Sequence, residues 1–199
     1  MTSVARWVEV HRLAVAGREA GIARDVGDRV GRVWLATSRF ADTARLAELT
    51  LTLGEDARAL YQLGWAKTVT GNPAAALEHY GQALRLYRAA GDRANEAATL
   101  SNIGLVNRDL GEPQRALEHY AQALPIMREI GDRAGEAVTR YNMAMIHRDQ
   151  GDLGRAVAEL EQVVELDRQV SRPDLQSDTE MLHRVRQELA GLDPGHSPR

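Results

Sequence analysis

Cysteine is absent from this 199-residue chain, and phenylalanine occurs once. The first absence excludes disulfides, thiolate metal ligands and cysteine nucleophiles together, and it fits a reducing compartment. With aromatics at only 5% and Ala and Leu abundant, the composition disfavours a sheet of β-branched and aromatic residues and favours closely packed helices. Lysine is nearly missing: Lys67 stands alone among 25 basic residues, a bias to which no mechanism attaches. A formal charge of −3 supplies no net field for a phosphate backbone, so nucleic acid is not an expected partner. No run approaches the roughly 18 apolar residues of a membrane span. The opening MTSVARWVEVHRLAVAG is broken by Arg6, Glu9, His11 and Arg12, unlike the apolar core of a secretory signal. A cytoplasmic protein without a membrane partner is expected. The 44% hydrophobic and 27% charged content is that of a soluble globular protein.

What the chain does contain is repetition. AGDRANEAATLSNIG, from Ala90, and IGDRAGEAVTRYNMA, from Ile130, lie forty residues apart. Placing residues 91–130 over 131–170 without a gap pairs Gly91 with Gly131, Asp92 with Asp132, Glu96 with Glu136, Asn102 with Asn142, Arg108 with Arg148, Gly111 with Gly151 and Ala116 with Ala156. One period earlier, GNPAAALEHYGQAL from Gly71 falls over GEPQRALEHYAQAL from Gly111, and Leu60, Leu63 and Gly64 fall under Leu100, Ile103 and Gly104. A phrase written three times in one frame signals a repeat architecture.

Within each copy, apolar residues recur at three and four, as in Leu100, Ile103, Gly104 and then Ala116, Leu117, Tyr120, Ala123, Leu124. That is the stripe of an amphipathic helix, twice per copy. Gly71, Gly111 and Gly151 suit helix C-terminal caps, Pro73 and Pro113 suit a first turn, and Asp92 and Asp132 suit N-caps. Gly64, Gly104 and Ala144 on the first helix, with Ala76, Ala116 and Ala156 on the second, let helix axes approach to ~8–10 Å.

The pattern of a large apolar residue, Leu/Ile-Gly/Ala and Ala-x3-aromatic, seen as Leu100, Ile103-Gly104, Ala116 and Tyr120, resembles the tetratricopeptide repeat (TPR) family over residues 55–170. Asn107 and His147 stand where that family has Tyr, and Arg128 and Arg168 where its closing Pro would fall. The forty-residue period exceeds the family's common 34 and is similar to the TPRs of kinesin light chain, the Leu-Gly-Asn adaptors and arrays attached to actinobacterial signalling ATPases. The resemblance implies an all-α, right-handed superhelical α-solenoid of antiparallel helix hairpins, with first helices on a concave side.

Residues 1–54 then read as degenerate TPR-like helices over 3–26, 29–40 and 43–53, with DVGDRVGR from Asp25 echoing the repeat's turn. Residues 55–170 read as three hairpins, and 171–191 as a capping helix with Met181, Leu182, Val185 and Leu189 on one stripe. LDPGHSPR, residues 192–199, reads as a frayed tail.

Catalytic signatures find no support. His147-Arg148-Asp149 spells a kinase tripeptide without the glycine-rich loop or metal-binding triplet that the chemistry needs. His79 and His119 sit one per repeat on second helices, a spacing that suits solvated surface better than a shared metal ion. No enzyme, metal or cofactor is expected.

The informative stripe runs beside the apolar one on the first helices: Arg58, Tyr61, Gln62 and Trp65, then Ser101, Asn102, Leu105 and Arg108, then Tyr141, Asn142, Met145 and Arg148. Asn and Gln offer donor and acceptor to an extended backbone, Tyr and Trp offer rigid area, and Arg grips carboxylates. By the resemblance, Asn102 and Asn142 hold ligand backbone, although Asn here also belongs to the family's structural consensus. Arg58, Arg108, Arg140 and Arg148 favour a mildly acidic segment, with Asp109 and Asp149 as competing internal partners, and Trp65, Leu105 and Met145 as apolar anchors. The expected function is a protein-interaction scaffold for a peptide or protein segment. The alternatives are a peptide-responsive regulatory module working with a signalling ATPase or transcription regulator, and a spacer self-associating through Trp7 and Trp34.

Overall fold

A computed structural model of the chain describes residues 3–191; the tail expected at 192–199 lies outside the described residues. The described residues form ten α-helices and no strand, an all-α fold of the α-solenoid class. In order they are α1 (Ser3–Ala16), α2 (Ala20–Ala36), α3 (Phe40–Leu51), α4 (Ala57–Val69), α5 (Pro73–Ala90), α6 (Arg93–Asp109), α7 (Pro113–Ile130), α8 (Arg133–Asp149), α9 (Leu153–Val170) and α10 (Leu175–Gly191). Among these residues no helix is long and apolar enough to cross a membrane.

Local chemistry sets the helix ends. The side chains of Asp56, Asn72, Asp92, Asp132 and Asp152 each accept from the backbone N–H three residues on, at 2.9 to 3.3 Å, which satisfies a donor left open by the first helical turn. Pro73 and Pro113 occupy first turns, where a missing N–H costs little. Gly131 closes α7 at φ 73°, a left-handed conformation that a Cβ would strain, while Ser171 holds the corresponding place after α9 at φ 52°.

The described residues divide into two compact units, one running through residue 106 and the other starting at residue 107. In the first, α1 packs on α2, α2 on α3, α3 on α4 and α4 on α5, and α2 also reaches α4, so first-position helices lie side by side. Val26, Val30, Trp34 and Leu46 form one buried cluster, and Leu60, Ala83 and Tyr87 another. A Cβ placed on Gly64 would lie 2.8 Å from the Tyr80 ring, so glycine is what lets α4 rest on α5 there. In the second unit α8 packs on both α7 and α9, and α9 on α10. Ala144, Leu153, Ala156, Leu160, Val164, Leu182 and Val185 make its main core.

Positions where the repeat departs from the family pattern have their own structural use. Arg88 meets Glu96 at 2.9 Å and, forty residues on, Arg128 meets Glu136 at 2.8 Å, so an ion pair ties α5 to α6 and α7 to α8 where a closing Pro was absent. Eight residues after Arg168 the sequence has Gln176 in place of Glu, and Arg168 lies 3.9 Å from Glu165 instead. Asn107 and His147 are buried.

The N-terminal helices differ from the expected 3–26, 29–40 and 43–53. The first breaks at Gly17-Arg18-Glu19, with Arg18 at φ 57°, and DVGDRVGR runs inside α2 rather than forming a turn. Its glycines serve packing: a Cβ on Gly27 would lie 2.9 Å from Thr50 Oγ1 and 3.3 Å from the buried His11 ring. Trp34, expected to offer exposed apolar area, is buried beneath the Arg39 guanidinium, 4.6 Å from its ring centroid. Trp7 is partly exposed and carries Arg29 over its ring. On α10, Leu182 and Val185 are buried but Leu189 is exposed.

Candidate functional site

In the first unit, the residues of the expected stripe stand on α4 and the first part of α6. Asn102 Nδ2 donates to Tyr61 Oη at 2.8 Å, linking α6 to α4. Tyr61 stands edge-on to Trp65 at 6.2 Å and to Tyr80 at 5.7 Å, an arrangement that favours the ring edges meeting the ring faces. Burial pushes the Tyr61 phenol above its ordinary pKa, against the opposing effect of the Asn102 bond. Trp65 leaves 40% of its surface exposed beside it. Ser101 and Leu105 are half-buried on the same side of α6.

Gln62 is largely buried, with its amide turned to α2, and it lines the cleft that opens there. Its Nε2 donates to the backbone oxygen and to Oδ1 of Asp28, both at 3.1 Å. The Asp28 carboxylate also faces Arg32 at 3.1 Å and Arg58 at 3.7 Å. Two exposed guanidiniums therefore share one carboxylate, leaving a local excess of positive charge. A cleft of about 470 Å³ opens there, lined by Arg32, Leu35, Arg58, Tyr61, Trp65 and Asn95 among others. Apolar walls with a few convergent polar groups are the usual make-up of a binding cleft. Asp28 and Arg32 did not stand out in the sequence because α2 lies outside the forty-residue frame; their four-residue spacing was the available signal.

In the second unit, Arg108 Nη1 donates to Asn142 Oδ1 at 3.0 Å, and the same guanidinium pairs with Asp109 at 2.9 Å. Tyr141 and Met145 are half-buried against the Leu160 cluster. Arg148 is not paired with Asp149: it donates two bonds to Glu188 of α10, at 2.9 and 2.6 Å. That pairing holds the Glu188 carboxyl below its ordinary pKa and raises that of Arg148. Arg140, expected to attract acidic ligands, is buried between Glu136 and Glu159 and is committed to the interior. The structure thus brings Arg58, Tyr61, Trp65 and Asn102 together in one unit and Arg108, Tyr141, Asn142, Met145 and Arg148 in the other.

Burial lowers the His79 pKa, and His119 Nδ1 lies 2.7 Å from the Arg115 carbonyl. Among the described residues no group of three or more His, Asp or Glu side chains is arranged to hold a metal ion.

The profile of the tetratricopeptide repeat matches residues 55–129 and again 95–169. No curated protein matches the chain. Among solved structures, the apo form of the quorum sensor NprR from B. thuringiensis superimposes with a TM-score of 0.74 at 16% identity, covering 96% of this chain and 56% of that one. The apo form of RapI gives 0.73 at 14% identity over 86% of this chain and 50% of its own, so this chain spans about half the length of RapI. BtubC (BKLC) from P. vanneervenii gives 0.69 at 16% identity over 100% and 96%. Likeness at these identities is likeness of fold.

Proposed function

The chain belongs to the tetratricopeptide repeat family, and we propose that it is a protein-interaction module that holds a peptide or protein segment along the faces of its first helices. In this reading residues 55–170 are three hairpins of the longer, forty-residue type, 1–54 extend the array, and 171–191 cap it. The role is binding, not catalysis, and takes place in the cytoplasm.

The observation that carries the proposal is the cleft on α2 and α4. Arg32 and Arg58 have one carboxylate between them, so an incoming acidic group meets an incompletely neutralised pair. Leu35 and the exposed edge of Trp65 lie in the same cleft, suited to an apolar side chain. The favoured ligand is therefore an acidic segment with one large apolar residue. Asn102 and Asn142, each with one amide atom engaged, offer the other to ligand backbone.

Selection from a random peptide display library tests this. Enrichment of acidic peptides bearing a large apolar residue, lost with Arg32→Gln/Arg58→Gln and with Trp65→Ala, supports the proposal. Failure to enrich, or enrichment indifferent to these substitutions, contradicts it.

A second reading, a sensor that changes state on binding a peptide, is favoured by one contact. Glu188 of α10 already occupies Arg148, so a ligand carboxylate would displace part of the protein itself. The fold shared with the quorum sensor NprR is compatible with such a role.

A further inference from the structure

The turn between α9 and α10 gathers three carboxylates around one guanidinium. Arg172 donates to Asp167 Oδ1 at 2.8 Å and to Asp174 Oδ2 at 2.6 Å. Asp167, on α9, has no exposed surface, and its Oδ2 finds no donor. A buried carboxylate oxygen without a donor is costly. Facing it from the first turn of α10 is Asp178, only 7% exposed. Two ionised carboxylates cannot satisfy each other, whereas a protonated Asp178 donates to the vacant oxygen and removes one of two excess negative charges. Tyr141 and Val138 of α8 border the same 310 Å³ cavity, so Tyr141 is the titratable group facing Asp178 from that side. Further along α10, Glu188 grips Arg148.

We propose that α10 is a proton-latched cap: a proton held between Asp167 and Asp178 fastens α10 to α9, and its loss loosens the helix whose Glu188 occupies Arg148. The consequence for ligand access rests on the binding reading above; the latch itself does not.

The direction of the effect follows from linkage. In the docked helix, burial and Asp167 push the Asp178 carboxyl up to about 7, against an ordinary value near 3.9 once released. Docking is therefore fully supported below the released value and weakens as pH rises toward 7, after which it stays constant. The Glu188–Arg148 pair works oppositely, since it is lost only in acid as the carboxylate protonates.

Amide hydrogen exchange of the full chain, corrected for intrinsic rates, tests the latch without any ligand. Protection in α10 is expected to fall by up to about tenfold per pH unit between pH 5 and 7, and Asp178→Asn, which carries a permanent donor, is expected to abolish the slope. A flat profile in the unaltered protein, or a slope retained in the variant, overturns the proposal. Should the variant fail to fold, a carbon-13 carboxyl titration of the unaltered protein decides. One carboxyl of the pair titrating far above the ordinary range supports the latch, and both titrating within it overturn it. These results are independent of peptide selection, so either idea can fail alone.

Discussion

Asn102 and Tyr61, forty-one residues apart, are joined by a 2.8 Å hydrogen bond that ties consecutive first helices in one unit. Asn142 plays a related part in the other, accepting from Arg108 at 3.0 Å. The motif asparagines thus join neighbouring first helices, and the proposed binding face is built on those bonds.

Removing either end of the first bond should cost little alone. Asn102→Ala and Tyr61→Phe are each expected to destabilise by about 0.5–1.5 kcal/mol, and the double variant by less than their sum. Urea unfolding of the four proteins measures the coupling, and strict additivity would show that the bond contributes nothing.

Two glycines should respond differently to alanine. At Gly64 the new methyl meets the rigid, buried Tyr80 ring at 2.8 Å, so a loss of about 1–3 kcal/mol is expected despite alanine's better helix propensity. At Gly31 it meets the end of Gln62, which must give up its bonds to Asp28, a loss that alanine's better helix propensity largely offsets, so stability should change by less than about 1 kcal/mol. Gly31→Ala should instead disturb the bond from Gln62 to Asp28 and weaken peptide binding in the cleft. Thermal unfolding and a binding titration separate the two effects.

The repeated ion pairs also differ in expected weight. Glu136 receives both Arg128 and the buried Arg140, which keeps Glu159 when Glu136 is lost, so Glu136→Gln should destabilise by about 1–3 kcal/mol. Arg168→Ala removes only an exposed pair at 3.9 Å and should change stability by under about 0.5 kcal/mol. Denaturant midpoints compare them directly.

His11 is buried against Thr50, its Nε2 at 2.8 Å from the hydroxyl, and burial lowers its pKa below 6.5. A depressed histidine contributes stability above the unfolded pKa that is lost as pH falls through the folded one. The docking of α1 should accordingly weaken as pH drops below about 6.5, and His11→Gln should flatten that dependence. The indole N–H NMR signal of Trp7 followed against pH reads it.

The helices from 57 to 170 were legible because each boundary carries its own local chemistry: Asp132 caps α8 through Gly135 N, and Gly131 takes the left-handed turn before it. Such signals act over three or four residues and survive without tertiary context. The N-terminal helices were not, since Gly27 and Gly31 look like turn residues and serve close packing instead. Ser38, which does hold a left-handed turn, lies thirty-three residues before Gly71, outside the forty-residue frame. Arg58, Tyr61 and Trp65 could be read from helical spacing, which gives a face. Spacing does not give partners, so the burial of Gln62 on Asp28 and the capture of Arg148 by Glu188 became visible only when distant helices were brought together.

Three tryptophans make the central claim directly measurable, because Trp65 lines the cleft while Trp7 and Trp34 do not. The decisive experiment is a proton–nitrogen NMR titration of the indole N–H signals with a display-selected acidic peptide. Binding on the first-helix face predicts that the Trp65 signal shifts saturably while those of Trp7 and Trp34 stay in place, and that Arg32→Gln/Arg58→Gln removes the shift. A saturable shift at Trp7 with Trp65 unmoved would place the interaction on the N-terminal helices and contradict the account.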